Sequence, residues 1–290
     1  MENTSLIFEG GLFEIAKATR DYMDGTTPKP NWIGQWPGSD RSPGRVKFFG
    51  TANYNEADEL LVHGWAEGAA KIAKIRQTCD PLVARAKATV SNVAYDVVGQ
   101  WLDIGKFCGG EPECWGGMVE REGTSARCIR IEANTSASCS VKSDLFFARG
   151  AAVCVLADII ESIGLRCEIW ATSCSNNRTR EERSPARPGQ TCQYAALLKR
   201  AADPLDMDSL AVALAHTSFF RRIGFNLKAV HGCDVGGTYP APYKSENPAE
   251  DTIVIGELFG TSADWSVATI PEHVERLLAS VGIKFEENVF

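Results

Sequence analysis

The chain has 290 residues, which is enough for one large domain or two small ones. Hydrophobic residues make up 44% of it and charged residues 23%, so the composition predicts a substantial core and excludes wholesale disorder. The 30 basic and 37 acidic side chains give a net charge of −7, which argues against a general polyanion binder but leaves room for a local basic patch.

The expected location is the cytoplasm. Residues 1–5 do not form a basic region followed by a long apolar stretch, so the sequence predicts no secretory signal. The longest apolar-rich stretch, residues 145–160, is interrupted by Arg149 and Asp158 and therefore predicts no transmembrane span. We expect the ten cysteines to be free thiols in a reducing compartment.

Residues 1–45 are expected to form an N-terminal arm. Residues 1–23 have helical spacing, and residues 24–44 contain four prolines and two tryptophans, Trp32 and Trp36. Proline disfavours regular structure and tryptophan offers a large apolar contact area, so both tryptophans are candidate interaction residues. The alternative is an arm that folds back on its own domain.

Residues 46–126 are expected to be an α+β lead-in that packs on the main domain. The patterns predict, in chain order, a strand at 45–50, a helix that begins at Asn55 and carries an apolar stripe to residue 72, a helix at 81–87, a strand at 95–101 and a turn-rich loop at 109–115.

Residues 127–290 have a more regular pattern. Residues 128–133 alternate in polarity, 143–163 are apolar on nearly every helical face, and 166–171 read as a strand, an order that predicts a right-handed crossover between parallel strands. We expect a three-layer α/β fold with a mainly parallel central sheet. Its further elements are predicted at 192–198 (strand), 206–222 (helix), 252–259 (strand), 271–281 (helix) and 284–286 (edge strand).

The turn at 134–138, Asn-Thr-Ser-Ala-Ser, carries the most specific functional hypothesis. It follows a strand of the expected parallel sheet, where ligands commonly bind, and Ser136 and Ser138 could offer two oxygens to a hard divalent cation. The alternative is that these side chains only cap the helix that follows.

This segment resembles the von Willebrand factor A family, in which Asp-x-Ser-x-Ser follows the first strand and a long buried helix, a strand and an edge hairpin come next. The resemblance covers residues 127–290. Here Asn134 stands in place of the aspartate and lacks its charge, so the resemblance implies a weak Mg²⁺ site. The implied ligands are Asn134, Ser136, Ser138, Asp203 and Glu257, with Asp206, Asp208, Thr261 and Asp264 as alternatives from later loops.

The wider pattern is similar to a family of uncharacterised proteins of tailed phages and their bacterial hosts. Segments 49–51, 64–68, 110–114 and 220–225 carry this second resemblance. It implies a viral setting, in the host cytoplasm or the virion, and no particular chemistry.

The segment 176–187 is expected to be the tip of a long hairpin. It holds two glutamates and four arginines, which could contact a partner protein or nucleic acid: Arg178, Arg180, Arg183 and Arg187. The alternative is a solvated loop.

Other sites have weaker support. His231 and Cys233 lie two residues apart, but the chain lacks the paired Cys-x-x-Cys spacing of a zinc site. Cys114 has acidic neighbours that disfavour a reactive thiolate, and no phosphate-binding loop is present. The sequence therefore favours a non-enzymatic interaction or assembly module with a protein partner and no membrane contact. The alternatives are a nucleic-acid-associated protein and an unrecognised hydrolase.

Overall fold

A computed structural model describes most of the chain. The described residues are 4–23, 43–87, 89–122, 127–176, 191–231, 239–243, 251–259 and 265–285.

The described strands are β1 (Thr4–Gly11), β2 (Ala86–Lys87), β3 (Thr89–Asp96), β4 (Trp101–Leu102), β5 (Trp115–Glu122), β6 (Cys128–Asn134), β7 (Arg166–Asn176), β8 (Thr191–Lys199), β9 (Tyr239–Pro240), β10 (Thr252–Ile255) and β11 (Lys284–Phe285). The described α-helices are α1 (Leu12–Met23), α2 (Pro43–Phe49), α3 (Tyr54–His63), α4 (Ala66–Gln77), α5 (Asp80–Arg85), α6 (Ile104–Cys108), α7 (Ser143–Ser162), α8 (Met207–Leu210), α9 (Phe225–Val230) and α10 (Ile270–Ser280). Two π-helical segments, Ala211–Ala215 and Phe219–Gly224, lie between α8 and α9, and a 3₁₀ turn, Val267–Thr269, precedes α10.

The central sheet has the strand order β1-β8-β7-β6-β10, and β9 pairs with β7. Strands β6, β7 and β10 are parallel, β8 runs antiparallel to β7, and β1 runs parallel to β8. With helices around this sheet, the molecule is a mixed α/β protein with a mostly parallel sheet, as the sequence predicts. Two small sheets, β11-β2 and β3-β5-β4, lie outside it.

Helix α7 connects β6 to β7 and is buried along most of its length. Its small residues let neighbouring elements approach closely. A Cβ atom at Gly150 would overlap the backbone of Leu214 and Ala215, so the first π-helical segment lies directly against α7. The prediction of a buried helix at 143–163 is confirmed. None of the helices in the described part of the chain combines the length and the apolar character needed to cross a membrane.

The N-terminal region differs from the prediction. Residues 4–11 form a strand that pairs with β8, and only residues 12–23 are helical. The apolar run from Leu6 to Phe8 and the glycines that follow it suit a sheet edge, and they find their partner in a strand far along the chain. Ile15 is 1% exposed, and the Tyr54 hydroxyl donates to Thr19 Oγ1 at 2.8 Å. Residues 4–23 therefore belong to the central sheet and core rather than to an arm.

Four predicted elements of the lead-in and core change for local reasons. The predicted strand at 95–101 is instead the bend that joins the end of β3 to β4. The predicted strand at 45–50 is helix α2, which begins at a proline. Helix α3 is capped by Asn53 rather than Asn55. Gly64 adopts a φ of +79° that ends α3, so the predicted apolar stripe continues in a second helix, α4. The predicted helix 206–222 is interrupted at His216, which has an extended backbone.

The thiol prediction holds for most of the described cysteines but not for Cys192. Eight of them carry free thiols, whereas Cys192 is disulfide-bonded to a partner outside the described residues. The free ones are Cys79, Cys108, Cys114, Cys128, Cys139, Cys154, Cys167 and Cys174.

We predict that Gly150→Ala lowers the free energy of unfolding by about 1–3 kcal/mol, because the added methyl group must displace the backbone at residues 214–215. Gly44→Ala is the matched control, since no atom lies within 4 Å of a Cβ at that position. Urea denaturation followed by circular dichroism measures both, and equal stability of the two variants would contradict the close approach.

We also predict that Ile15→Ala lowers the free energy of unfolding by about 2–5 kcal/mol, because Ile15 belongs to the main core. Phe13→Ala, on the same helix, changes it by less than about 0.5 kcal/mol, because the Phe13 side chain is 75% exposed. If neither substitution changed the stability, α1 would behave as an arm after all.

Candidate functional site

The carboxyl ends of β6 and β10 form the edge at which the sequence predicts a metal site. Asn134, the last residue of β6, is 1% exposed. Its Oδ1 accepts a hydrogen bond from the Ser136 backbone N–H at 3.0 Å, and its Nδ2 donates to the Ala241 carbonyl at 2.8 Å and towards Glu257 Oε2 at 3.4 Å. The structure therefore brings Asn134, Ser136 and Glu257 to one edge, with the amide nitrogen of Asn134 facing the carboxylate.

The two serine hydroxyls of the turn have different partners. Ser136 Oγ lies 2.8 Å from Ser173 Oγ and accepts a hydrogen bond from the Cys174 backbone N–H at 2.9 Å, so it joins the turn to β7. Ser138 Oγ instead lies 3.1 Å from Ser140 Oγ. The Ser136 hydroxyl is thus engaged with β7 and the Ser138 hydroxyl within its own loop.

Asp203 lies at the other end of the sheet. It follows β8, and because β8 runs antiparallel to β7, its carboxyl end is beside the beginning of β7. The Asp203 carboxylate accepts a hydrogen bond from the Arg200 backbone N–H at 3.2 Å. Asp206 caps α8 by accepting from Asp208 and Ser209, and the alternatives Thr261 and Asp264 lie outside the described residues.

A buried guanidinium supplies positive charge at this edge. Arg149, on α7, is 1% exposed, and its Nη1 donates to the Asn134 carbonyl at 2.6 Å and to the Gly256 carbonyl at 3.3 Å. Burial lowers the pKa of Arg149 to about 10 and the charge of Glu257 opposes that shift, so the side chain stays protonated at neutral pH. Its Nη2 has no hydrogen-bond partner among the described residues.

This arrangement does not fit a divalent cation. The Asn134 amide presents a donor to Glu257, and a second cation would meet the charge of Arg149. Within the described ranges no group of three or more His, Cys, Asp or Glu side chains could hold a metal ion. Weak Mg²⁺ binding stays a prediction of the sequence.

Two further arginines join the lead-in to the same edge. Arg221 donates to the carbonyls of Phe48 at 2.8 Å and Val141 at 2.7 Å, and its guanidinium lies 4.0 Å from the centre of the Phe48 ring. Arg222 donates to the Thr51 carbonyl at 2.9 Å. Segments 49–51 and 220–225, which carry the phage-family resemblance, are therefore in contact.

Lys228 and Ser175 form a buried pair that the sequence analysis missed. Lys228 Nζ donates to Ser175 Oγ at 2.9 Å, and burial lowers the pKa of Lys228 to about 8. An amine of this kind beside a hydroxyl is the chemistry of a general base and a nucleophile. Both side chains are buried, however, and Nζ lies 5.6 Å from the Tyr194 ring centre and 5.5 Å from that of Phe220. As arranged, the pair fastens α9 to the sheet.

The other predicted sites fall largely outside the described part of the chain. Cys233, which the zinc hypothesis pairs with His231, lies there, and Cys192 is already engaged in a disulfide. Six candidate interaction residues also lie outside the described ranges: Trp32, Trp36, Arg178, Arg180, Arg183 and Arg187.

A second candidate surface lies on the sheet β3-β5-β4 and helix α6. We call it the hairpin patch, and it consists of seven exposed apolar side chains: Tyr95, Val97, Val98, Trp101, Ile104, Phe107 and Trp115. None of residues 95–117, whose side chains the structure describes, belongs to the hydrophobic cores. Trp115 precedes Gly116 and therefore lies on the other face of the sheet from Tyr95 and Trp101. Large exposed apolar side chains gathered on one small unit typically mark an interaction site.

The hairpin patch has a defined shape and an acidic rim. Trp101 and Tyr95 flank Gly116 on one face of the sheet, and the Tyr95 hydroxyl donates to Asp103 Oδ2 at 3.0 Å. Asp103 also caps α6 through the Lys106 backbone N–H. The rim has four carboxylates, Asp96, Asp103, Glu111 and Glu113, against the single lysine Lys106, which is paired with Glu111 at 2.5 Å. The sequence pattern does not reveal the patch, because an apolar strand normally indicates burial.

The metal hypothesis can be tested by isothermal titration with Mg²⁺. From the geometry we expect heat of binding to appear only in the double variant Asn134→Asp with Arg149→Met, because it exchanges the fixed cation for an unpaired carboxylate. Circular dichroism verifies that the variant folds. Submillimolar binding by the unaltered chain that is lost in Ser136→Ala with Ser138→Ala would instead support the predicted site.

Comparison with known proteins gives a family but no activity. No curated protein matches the chain, and no solved structure matches it either. One family model matches residues 16–284, which includes the central sheet from β6 onward, the carboxyl edge and the hairpin patch. The chain therefore belongs to the family described as a domain of unknown function, DUF7192.

Proposed function

We propose that the chain is a non-enzymatic protein-interaction module that assembles with copies of itself through the hairpin patch. The observation that supports this function is the exposure of large apolar side chains on a unit outside the core: Val98 is 75% exposed, Ile104 70% and Phe107 60%. Aromatic side chains such as Trp101 and Trp115 are those that contribute most at protein interfaces.

The charge of the rim selects the partner surface. Two hairpin patches facing each other would bring like charges together, which disfavours a symmetric contact. The segment 176–187 has the complementary charge, with four arginines against two glutamates. The proposed contact therefore joins the hairpin patch of one copy to the arginine segment of the next. A head-to-tail contact of this type builds rings or filaments.

The same proposal includes a von Willebrand A-like, three-layer core and a phage or virion setting. The strand order β8-β7-β6-β10, the buried α7 and the antiparallel β7–β8 pair support the resemblance to that fold. In this arrangement the residues at the carboxyl edge serve stability, and the interaction surface lies elsewhere.

The test is the mass of the full chain in solution, measured by light scattering over a concentration series. We expect the mass to rise with concentration, and Ile104→Ser with Phe107→Ser to weaken self-association by about tenfold or more. Phe13→Ser is the matched control, because it removes an equally exposed apolar side chain from another surface. A chain that is monomeric throughout, or a control with the same effect, would overturn the proposal.

A charge-reversal cycle tests the partner segment. Glu113→Arg and Arg183→Glu should each weaken assembly, and the two together should restore part of it, because the exchanged charges attract again. Simple addition of the two effects would contradict a contact between these surfaces. Salt-sensitive binding of a single-stranded oligonucleotide that is lost in Arg183→Glu, without any change in mass, would favour the nucleic-acid alternative.

A further inference from the structure

A further cavity, of about 500 Å³, has none of the residues named above for the carboxyl edge or the hairpin patch in its lining. Helix α2, the start of α4, the first turn of α7 and the junction at residues 215–217 surround it. Its volume is in the range of pockets that bind small molecules. Gly50 borders it with a φ of +80°, and a Cβ there would overlap Thr217 Oγ1, so the close approach of the lead-in to the junction requires glycine.

One wall of the cavity is aromatic and apolar. The Trp65 ring lies edge-on to Phe147, with centres 6.0 Å apart, and edge-on to His216 at 4.7 Å. Val46 and Val267 add to this wall. Such a surface suits a flat apolar or aromatic body.

His216 adds a fixed hydrogen-bond donor. The Ser218 backbone N–H donates to His216 Nδ1 at 3.3 Å, and Ser218 Oγ lies 2.6 Å from the same nitrogen. Burial lowers the pKa of His216 to about 4, so the ring is neutral at pH 7. Because Nδ1 accepts, the single proton lies on Nε2, which has no hydrogen-bond partner among the residues the structure describes. A ligand in the cavity can supply that acceptor.

One ammonium group at the cavity, that of Lys47, is available to an anion. Lys47 and Lys71 line it, and Asp144 is the one carboxylate among the lining residues. Lys71 shares its charge with Glu67 at 2.7 Å, whereas Lys47 has no ion pair within the described part of the chain. The ammonium group of Lys47 and the N–H donor of His216, beside an apolar wall, suit a ligand with an aromatic body and an acidic substituent.

We propose that this cavity is a binding site for a small aromatic anion, a planar molecule that carries a carboxylate, sulfonate or phosphate group. The aromatic part lies against Trp65 and Phe147, and the anionic group meets Lys47, Lys71 and His216 Nε2–H. This function is separate from assembly through the hairpin patch and does not depend on it.

The probe is 8-anilinonaphthalene-1-sulfonate, whose fluorescence rises when it leaves water. The titration uses the full chain with Ile104→Ser and Phe107→Ser, so that the exposed hairpin patch does not bind the dye. We expect one saturable site. Lys47→Glu with Lys71→Glu should weaken it by about tenfold, because both reversed charges face the anion. Lys74→Glu, on the same helix but not among the lining residues, is the matched control and should leave the affinity unchanged.

A second variant separates binding from folding. In His216→Asn the new side chain can still accept from the Ser218 N–H, but the Nε2–H donor is lost. We expect unchanged circular dichroism and weaker dye binding, and the loss should be larger for naphthalene-1-sulfonate used as a competitor than for uncharged naphthalene. Dye binding that is absent, or that responds equally to Lys74→Glu and to the lining variants, would overturn the proposal.

Discussion

The contact between α7 and the first π-helical segment determines how the rest of the molecule is arranged. Gly150 allows the two backbones to lie directly against each other, and a side chain at that position would separate them. Because α7 packs on both the sheet and this segment, its residues contribute to both the carboxyl edge and the cavity. Arg149 reaches the carboxyl edge of the sheet, and Asp144 lines the cavity. A shift of α7 would change both.

Three buried arginine side chains, Arg149, Arg221 and Arg222, donate to backbone carbonyls inside the molecule. Arg149 binds the ends of β6 and β10, and Arg221 binds the lead-in and the loop before α7. Guanidinium groups suit this role, because their several donors can satisfy carbonyls from different elements at once. In a fold of this type the carboxyl edge is a natural place for a ligand, and here the buried guanidinium of Arg149 lies at that edge.

The hairpin patch, the candidate interaction surface, lies apart from this interior. The hairpin patch stands on a small sheet and a short helix, and none of its seven side chains belongs to the hydrophobic cores. Its most exposed residues, Val98, Ile104 and Phe107, can change with little cost in stability, as expected of an interaction surface. The cavity beside His216 lies between the surface and the packed interior, because the first π-helical segment forms one of its sides.

The sequence by itself determined the elements whose pattern is local. The alternating strand from Cys128, the apolar helix α7 and the strand from Arg166 follow directly from periodicity, and with them the crossover and the parallel pair. The turn at Asn134 was located in the same way, at the end of a strand. These features depend on residues that are neighbours in the chain.

Only the tertiary structure decided what depends on distant partners. Residues 4–11 became a strand because β8 offers a free edge, and Asp203 lies far from Asn134 because β8 runs in the opposite direction. The hydrogen bond from Arg149 to the end of β6 cannot be predicted from a helix whose pattern is apolar on nearly every side. The cavity brings together Lys47, Trp65 and His216 from three separate segments of the chain. The exposure of the hairpin patch also depends on the tertiary structure. Hydrophobicity alone predicts burial, and whether an apolar side chain is covered depends on which elements the fold brings against it.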